Sequence, residues 1–387
     1  MNSEIEFLKE EYVEVFESQP DRCFSCGGRF EILVNHTDHN HGLCLASACN
    51  MRIIVATAKN KTDVVKFQSL GYELDEVDLD DEEPKEIEYA TSKGLIRGVA
   101  TYLRRQGYRV GGFNAYSKST IFKGAGVSSS AAFEVLVAHI FNELFNDGKI
   151  PKIELCKAGK FAENLYFGKK SGLLDQIGVA YGGVVKIDFR DVEQPIVEQT
   201  TFPFPDLHFL LVNTGGDHSS LSDLYSSIPS DMYEAARVCG HNYLVECTRD
   251  ELEAFKFELT ELTYNRAVHF FEENKRVQEA CKALSDADQQ RFLELINESR
   301  ESSTKLLKNM MVDGQYKGSP LEACDLFMKA SDGEGAVKIN GGGFAGSVIA
   351  LVPTAKLEKV FEIMKKHYGE YNVKEIFIRA YGPIEEE

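Results

Sequence analysis

An α+β protein of two domains is the fold class this sequence predicts, and three observations predict it. Apolar strand-like runs and amphipathic helical stretches are mixed without the regular strand–helix alternation of a doubly wound sheet. The chain has 387 residues, 43% hydrophobic and 27% charged, enough for two cores. Pro195, Pro203 and Pro205 interrupt the pattern midway and place a boundary near 195–206, dividing 1–200 from 201–387.

The N-terminal third reads as strands: Arg29 to Val34 is mostly apolar, and residues 51–57 (MRIIVAT) form a β-branched run. Residues 75–88 are acidic and hold Pro84, so a loop running into a helix start is expected. Leu95, Ile96, Val99, Tyr102 and Leu103 share one helical face. Residues 109–122 read as extended. A glycine-serine turn follows, then an apolar helix from Ala131 to about Phe145 and another from Ile153 to Phe167, with Gly168 near its end. Leu207 to Asn213 is a clear strand, and residues 230–309 are nearly all helical in pattern. Strand signals return at 336–339 and 347–352, a helix is expected at about 355–367, and 373–378 reads as the last strand before an acidic tail.

The net charge is −18 and the pI about 5.1. Such a surface repels phosphate backbones and anionic lipid, so nucleic acid and membranes are excluded as partners, while a locally positive pocket stays compatible with ATP. No apolar run approaches the roughly 20 residues that span a bilayer. The first 18 residues are acidic, unlike a secretory leader. Nine cysteines, an odd number without a dense framework, point to reduced thiols and a cytoplasmic protein.

Three segments carry chemistry. Residues 123–131 (KGAGVSSSA) lie between a strand and an apolar helix. Gly124 and Gly126 let the backbone approach a ligand, and Ser128, Ser129 and Ser130 stand at a helix N-terminus, where free N–H groups suit phosphate. Ser130 also offers an oxygen to Mg²⁺. No Gly-Lys-Ser/Thr follows the glycines, so this is not a Walker A loop. Residues 35–40 (NHTDHN) follow an apolar strand as six consecutive polar residues able to read a polyhydroxylated ligand. A zinc site built from Cys23, Cys26, His36, His39 and His41 is the rival, but the spacing does not match a zinc finger. Residues 340–346 (NGGGFAG) hold four glycines, more than a hairpin needs.

Taken in order, residues 28–38 (GRFEILVNHTD), 124–132 (GAGVSSSAA) and 340–346 resemble the three signature motifs of the GHMP kinases, and most nearly those of galactokinases. Smaller echoes occur at 162–164, 172–176, 188–190 and 266–269. The resemblance runs from about residue 20 to the C-terminus. It implies an N-terminal domain of the ribosomal-protein-S5 type and a ferredoxin-like C-terminal domain, with ATP between them. By the same carry-over Asp175 is the catalytic base and Arg29 its partner. Ser130 and Glu163 hold Mg²⁺, the 124–130 loop holds the phosphates, and Gly342 and Gly343 help close the site. Asn35, His36, Asp38 and, more distantly, Tyr225 fall on sugar-binding positions.

The chain departs from the galactokinase pattern at Asn35, where the family has a glutamate that contacts the sugar 6-hydroxyl, and at Glu31, where it has asparagine. Residues 214–225, which hold His218 and Tyr225, are shifted in spacing. The expected activity is ATP-dependent phosphorylation of the anomeric hydroxyl of galactose or a relative. Asn35 raises galacturonate as an alternative, since an amide tolerates a carboxylate at C6. A catalytically silent sugar sensor is a second alternative. Another GHMP kinase, acting on mevalonate, homoserine or a heptose, is a third.

Overall fold

The computed structural model describes residues 2–122, 124–215 and 221–386. It opens on a helix, α1 (Asn2–Phe16), where strands were expected. Ile5, Leu8 and Tyr12 recur at helical spacing and pack on Ile54, Ala56 and Tyr116 of the sheet beneath.

The strands β1 (Arg22–Leu33), β2 (Leu43–Lys59), β3 (Val64–Ser69) and β4 (Asp75–Asp78) follow. The acidic stretch expected to be a loop thus begins as a short strand. Then come α2 (Ser92–Arg105), β5 (Phe113–Ser119), α3 (Ser129–Phe145), α4 (Lys152–Leu165), α5 (Leu174–Tyr181), β6 (Val184–Asp188) and β7 (Ile196–Thr200). Along the first sheet the order is β12-β1-β2-β5-β3-β4, where β12 (Ile384–Glu386) arrives from the far end of the chain. The long β2 pairs β5 through residues 53–59 and β6 through residues 43–47, and β7 extends β6. Helices α2 to α5 cover one face, with Ile96, Val99, Val135 and Phe141 meeting Val55, Phe113 and Ala115.

The second sheet has the order β11-β8-β10-β9, from β8 (Leu207–Asn213), β9 (Ala336–Asn340), β10 (Ser347–Pro353) and β11 (Val373–Ile376). Between β8 and β9 lie α6 (Ser222–Val238), α7 (Arg249–Phe255), α8 (Glu261–Ser285), α9 (Gln289–Ser302) and α10 (Pro320–Ala330). Helix α11 (Leu357–Tyr368) follows β10. Phe30 and Leu45 of the first sheet share a core with Leu211 and Leu351 of the second and with Phe292 and Ile296 of α9, which joins the two sheets. Side chains alternate along a strand. Phe30 and Ile32 enter that core, so Arg29 and Glu31 face the other way, toward the cleft.

The expected acidic tail is β12. Three residues with two glutamates carry little strand signal, but Arg22 binds Glu385 at 2.7 Å and Ser25 binds Glu386, so the charges are what pin the strand to β1. Among the described residues no helix is long and apolar enough to cross a membrane.

Candidate active site

The site forms where β1, the 124–130 loop, the start of α5 and the 340–346 turn meet. Arg29 leaves β1 at a break in its register with β2. Its backbone N–H donates to the Val127 carbonyl at 2.9 Å, and its Nη1 donates to the Gly126 carbonyl at 2.9 Å, so the loop is fastened to the strand twice. Nε and Nη2 both reach Asp175 Oδ1, at 2.9 and 2.8 Å. Asp175 lies in the first turn of α5, and its Oδ2 accepts from Ser128 Oγ at 2.6 Å. Burial opposes its ionisation, but Arg29, Lys169 and the Ser128 hydroxyl prevail and hold the carboxyl below its ordinary range.

Gly126 has φ +72°, and a Cβ there would strike Ser347 Oγ, so only glycine fits. Asn340, at the end of β9, donates to the Gly126 carbonyl at 2.9 Å and to Ser347 Oγ at 3.1 Å, while its oxygen accepts from Glu31 N–H at 2.9 Å. This one side chain ties β1, the loop and the second sheet together. Its place in the 340–346 glycine-rich segment gives no local sign of that role.

Ser129 and Ser130 open the 17-residue α3, and Ser128, with φ +54°, precedes them. Ser130 Oγ donates to Glu163 Oε1 at 2.9 Å; Glu163 is fully buried and also accepts from Ser171 Oγ at 2.5 Å and Lys169 Nζ at 2.8 Å. Desolvation opposes the charge on Lys169, but Glu163 and Asp175 outweigh it and raise its pKa.

Two cavities meet at Arg29 and Asp175. The larger, about 580 Å³, is lined by Gly124, Gly126, Ser128, Ser129, Ser130, Gly342 and Gly343, with Ile121, Phe122 and Leu221 supplying an apolar wall. The smaller, about 140 Å³, is lined by Arg29, Glu31, His36, Asp38, Asp175 and Tyr225. Of the expected site residues, Glu163 and Asn35 line neither cavity: Glu163 is buried behind Ser130, and Asn35 points elsewhere. Its amide donates to Ser303 and accepts from Asn309 Nδ2 at 3.0 Å, it is 1% exposed, and it does not line the cavity. The cause is backbone: Asn35 and His36 both have positive φ, +32° and +69°, which turns Asn35 into the helical layer. Glu31 lines the cavity instead, 3.5 Å from Arg29 Nη2. Burial raises the Glu31 pKa against the pull of Arg29 and the buried Lys338. Strand alternation from Arg29 was the signal that placed it there.

His36 Nε2 meets the Gly342 carbonyl at 2.8 Å, which makes it the donor, and the ring lies against Tyr225 with centroids 5.0 Å apart. A Cβ on Gly342 would collide with that Tyr225 ring. Gly342→Ala should therefore displace Tyr225 and raise KM for the acceptor about tenfold or more, an orientation effect of the kind that small misplacements produce; steady-state kinetics would show it. Residues 216–220, with His218, lie outside the described residues.

Burial holds His36 near 3, and His139 and His269 near 4. The unfolded chain takes up these protons near pH 6.5 while the folded one does not. Acid therefore favours unfolding: stability should fall as pH drops from about 6.5 toward 4, by up to about 1.4 kcal/mol per pH unit for each histidine. Urea midpoints at pH 7 and pH 5 would measure it, and equal midpoints would contradict it.

Comparison with known proteins agrees with this geometry. Residues 94–183 match the model of the GHMP kinases N-terminal domain, and residues 10–59 match the galactokinase galactose-binding signature. A galactokinase of Limosilactobacillus fermentum is 29% identical over 374 residues, covering 94% of both chains. One of Clostridium tetani is 28% identical, covering 95% of this chain and 93% of the relative. The crystal structure of Lactococcus lactis galactokinase complexed with galactose superposes with a TM-score of 0.84 at 24% identity, over 98% of this chain and 99% of that one. Methanococcus jannaschii mevalonate kinase shares the fold more distantly, with a TM-score of 0.67 at 14% identity over 92% and 98%. With the loop, the guanidinium and the carboxylate assembled as above, the chain resembles the GHMP kinases, and galactokinases among them, over nearly its whole length.

Proposed function

We propose that the protein is an ATP-dependent sugar kinase that phosphorylates the anomeric hydroxyl of galactose or a close relative. The observation that carries this is the contact of Asp175 with both Arg29 and Ser128 at the junction of the two cavities. ATP takes the larger cavity, its base against Ile121, Phe122 and Leu221 and its phosphates over residues 124–130 at the start of α3. The sugar takes the smaller one, with ring hydroxyls on Asp38 and His36 and the anomeric hydroxyl at Asp175.

Phosphoryl transfer needs alignment and charge neutralisation more than covalent help. Asp175, held ionised, accepts the hydroxyl proton. A depressed pKa makes it a weak base, which suffices when the acceptor oxygen gains little charge until late in a loose transition state. Oδ2, held by a rotatable hydroxyl rather than by the guanidinium, is the oxygen placed to take the proton. Arg29 is positioned to offset the charge developing between donor and acceptor.

Mg²⁺ would be held by the oxygens of Ser130 and Glu163, hard donors beside the phosphate loop. Bound there, it neutralises the β- and γ-phosphates. Lys169, whose side chain is 56% exposed, is free to swing off Glu163 as the ion enters. Glu163→Gln should raise the Mg²⁺ concentration for half-maximal activity by about 10- to 100-fold, and a magnesium titration would show it.

The Asn35 argument for galacturonate loses its basis, since the amide faces away from the sugar. An assay of ATP consumption against a panel of hexoses and hexuronates tests the reading. Turnover of galactose supports it; ligand binding without turnover of any sugar would make the protein a sensor instead.

A further inference from the structure

The sugar cavity holds one carboxylate that phosphoryl transfer leaves unused. Glu31 stands two residues beyond Arg29 on β1, and because Phe30 and Ile32 enter the core, its side chain turns to the cavity. The residue is 5% exposed. Its backbone is fixed: the N–H donates to Asn340 Oδ1 at 2.9 Å, and the residue pairs with Ala46 of β2.

Positive charge stands close to this carboxylate without saturating it. Arg29 Nη2 lies 3.5 Å from Oε1, while the same nitrogen reaches Asp175 Oδ1 at 2.8 Å. Lys338, fully buried, shares the face of β9 that presents Asn340 to Glu31, and its Nζ donates instead to the Ile339 carbonyl at 2.6 Å. Among the described residues no hydrogen bond reaches either Glu31 oxygen. A nearly buried carboxylate is an acceptor with about four lone-pair sites, and leaving it without a donor is costly. Its open side is the cavity, so the missing donor comes from the ligand.

Asp175 and Glu31 meet at one guanidinium nitrogen. A sugar whose anomeric hydroxyl lies at Asp175 therefore brings the neighbouring ring positions to Glu31. Of the two ring atoms bonded to the anomeric carbon, the oxygen carries no hydrogen, and C2 carries the donor. We infer that Glu31 is a specificity-determining residue that accepts a hydrogen bond from the substituent on C2 of the acceptor, a hydroxyl or an ammonium group. Sugars without a donor at C2 are selected against. This rests on the sugar-kinase reading, which sets the anomeric hydroxyl at Asp175.

Calorimetric titration of the full-length protein with galactose, galactosamine and 2-deoxygalactose reads binding without turnover. Galactose, galactosamine or both should bind about tenfold or more tightly than 2-deoxygalactose, because the deoxy sugar leaves a buried acceptor unpaired. The tighter of the two identifies the preferred C2 substituent. Glu31→Leu should erase the margin and leave 2-deoxygalactose binding little changed. Glu31→Gln keeps the shape but not the charge, and it should shrink the margin to a few-fold, since a charge-assisted bond is about twice as strong as a neutral one. It carries the test alone if the leucine variant does not fold. Equal or weaker binding of both donor-bearing sugars, or a margin unchanged in Glu31→Gln, overturns the inference. So does an equal loss for all three sugars, which would make Glu31 only an anchor for Arg29. Failure of the kinase reading shows separately, as no ATP turnover with any sugar, and takes this inference with it.

Discussion

Asp175→Asn should lower kcat by about 10² to 10⁴, the usual contribution of a positioned general base, with ATP affinity little changed. The substitution keeps the shape of the side chain and its acceptor toward Arg29, and among the described residues it removes the one carboxylate that lines both cavities, the group proposed to take the acceptor proton. Asp175 lies at the N-terminal turn of a short helix and supports no part of the apolar core, so folding should survive. Stopped-flow or coupled-assay kinetics, with nucleotide binding measured in parallel, separates the two quantities. A kcat within threefold of the unaltered protein would mean that Asp175 is only an anchor for Arg29 and Ser128.

Arg29→Met should be the more damaging change, because it strikes both catalysis and the fold. The guanidinium, 7% exposed, bridges Asp175, Glu31 and the Gly126 carbonyl. Removing it takes away charge balance in transfer, about 10² to 10³ in kcat for one lost electrostatic donor. It also strands the buried Glu31 carboxylate and takes the guanidinium from the half-buried Asp175, and breaking a buried pair from one side costs about 3–5 kcal/mol. Lysine is no substitute, since a single ammonium cannot span three acceptors that a planar fork reaches together. Urea denaturation beside kinetics tests both effects. Arg29→Met stability equal to that of the unaltered protein would contradict the bridging role.

Much of this architecture was legible in the sequence because the relevant signals are local. The helical face at 95–103, the strands at 207–213 and 347–352, and the glycine-serine loop each declare themselves within a dozen residues. The pieces that escaped depend on partners far along the chain. β12 is a strand because Arg22 and Ser25, some 360 residues away, hold its glutamates. β3 and β4 alternate weakly and gain their identity from pairing with β5 and with each other. At the site, the direction of Asn35 could not be read, because two consecutive left-handed residues break the strand's period of two just after β1 ends. Glu31 could have been found from that same period, being two residues beyond Arg29. The role of Asn340 as a clamp could not, since its three bonds reach β1, the loop and β10.

The most direct measurement is proton-coupled ³¹P NMR of the product formed from ATP, Mg²⁺ and the accepted sugar. A phosphate ester split by the single anomeric proton is expected, since the proposed function sets that hydroxyl at Asp175 beneath the 124–130 loop. An ester split by the two C6 protons, or release of inorganic phosphate alone, would show that the acceptor lies otherwise in the cleft and that Asp175 does not take its proton.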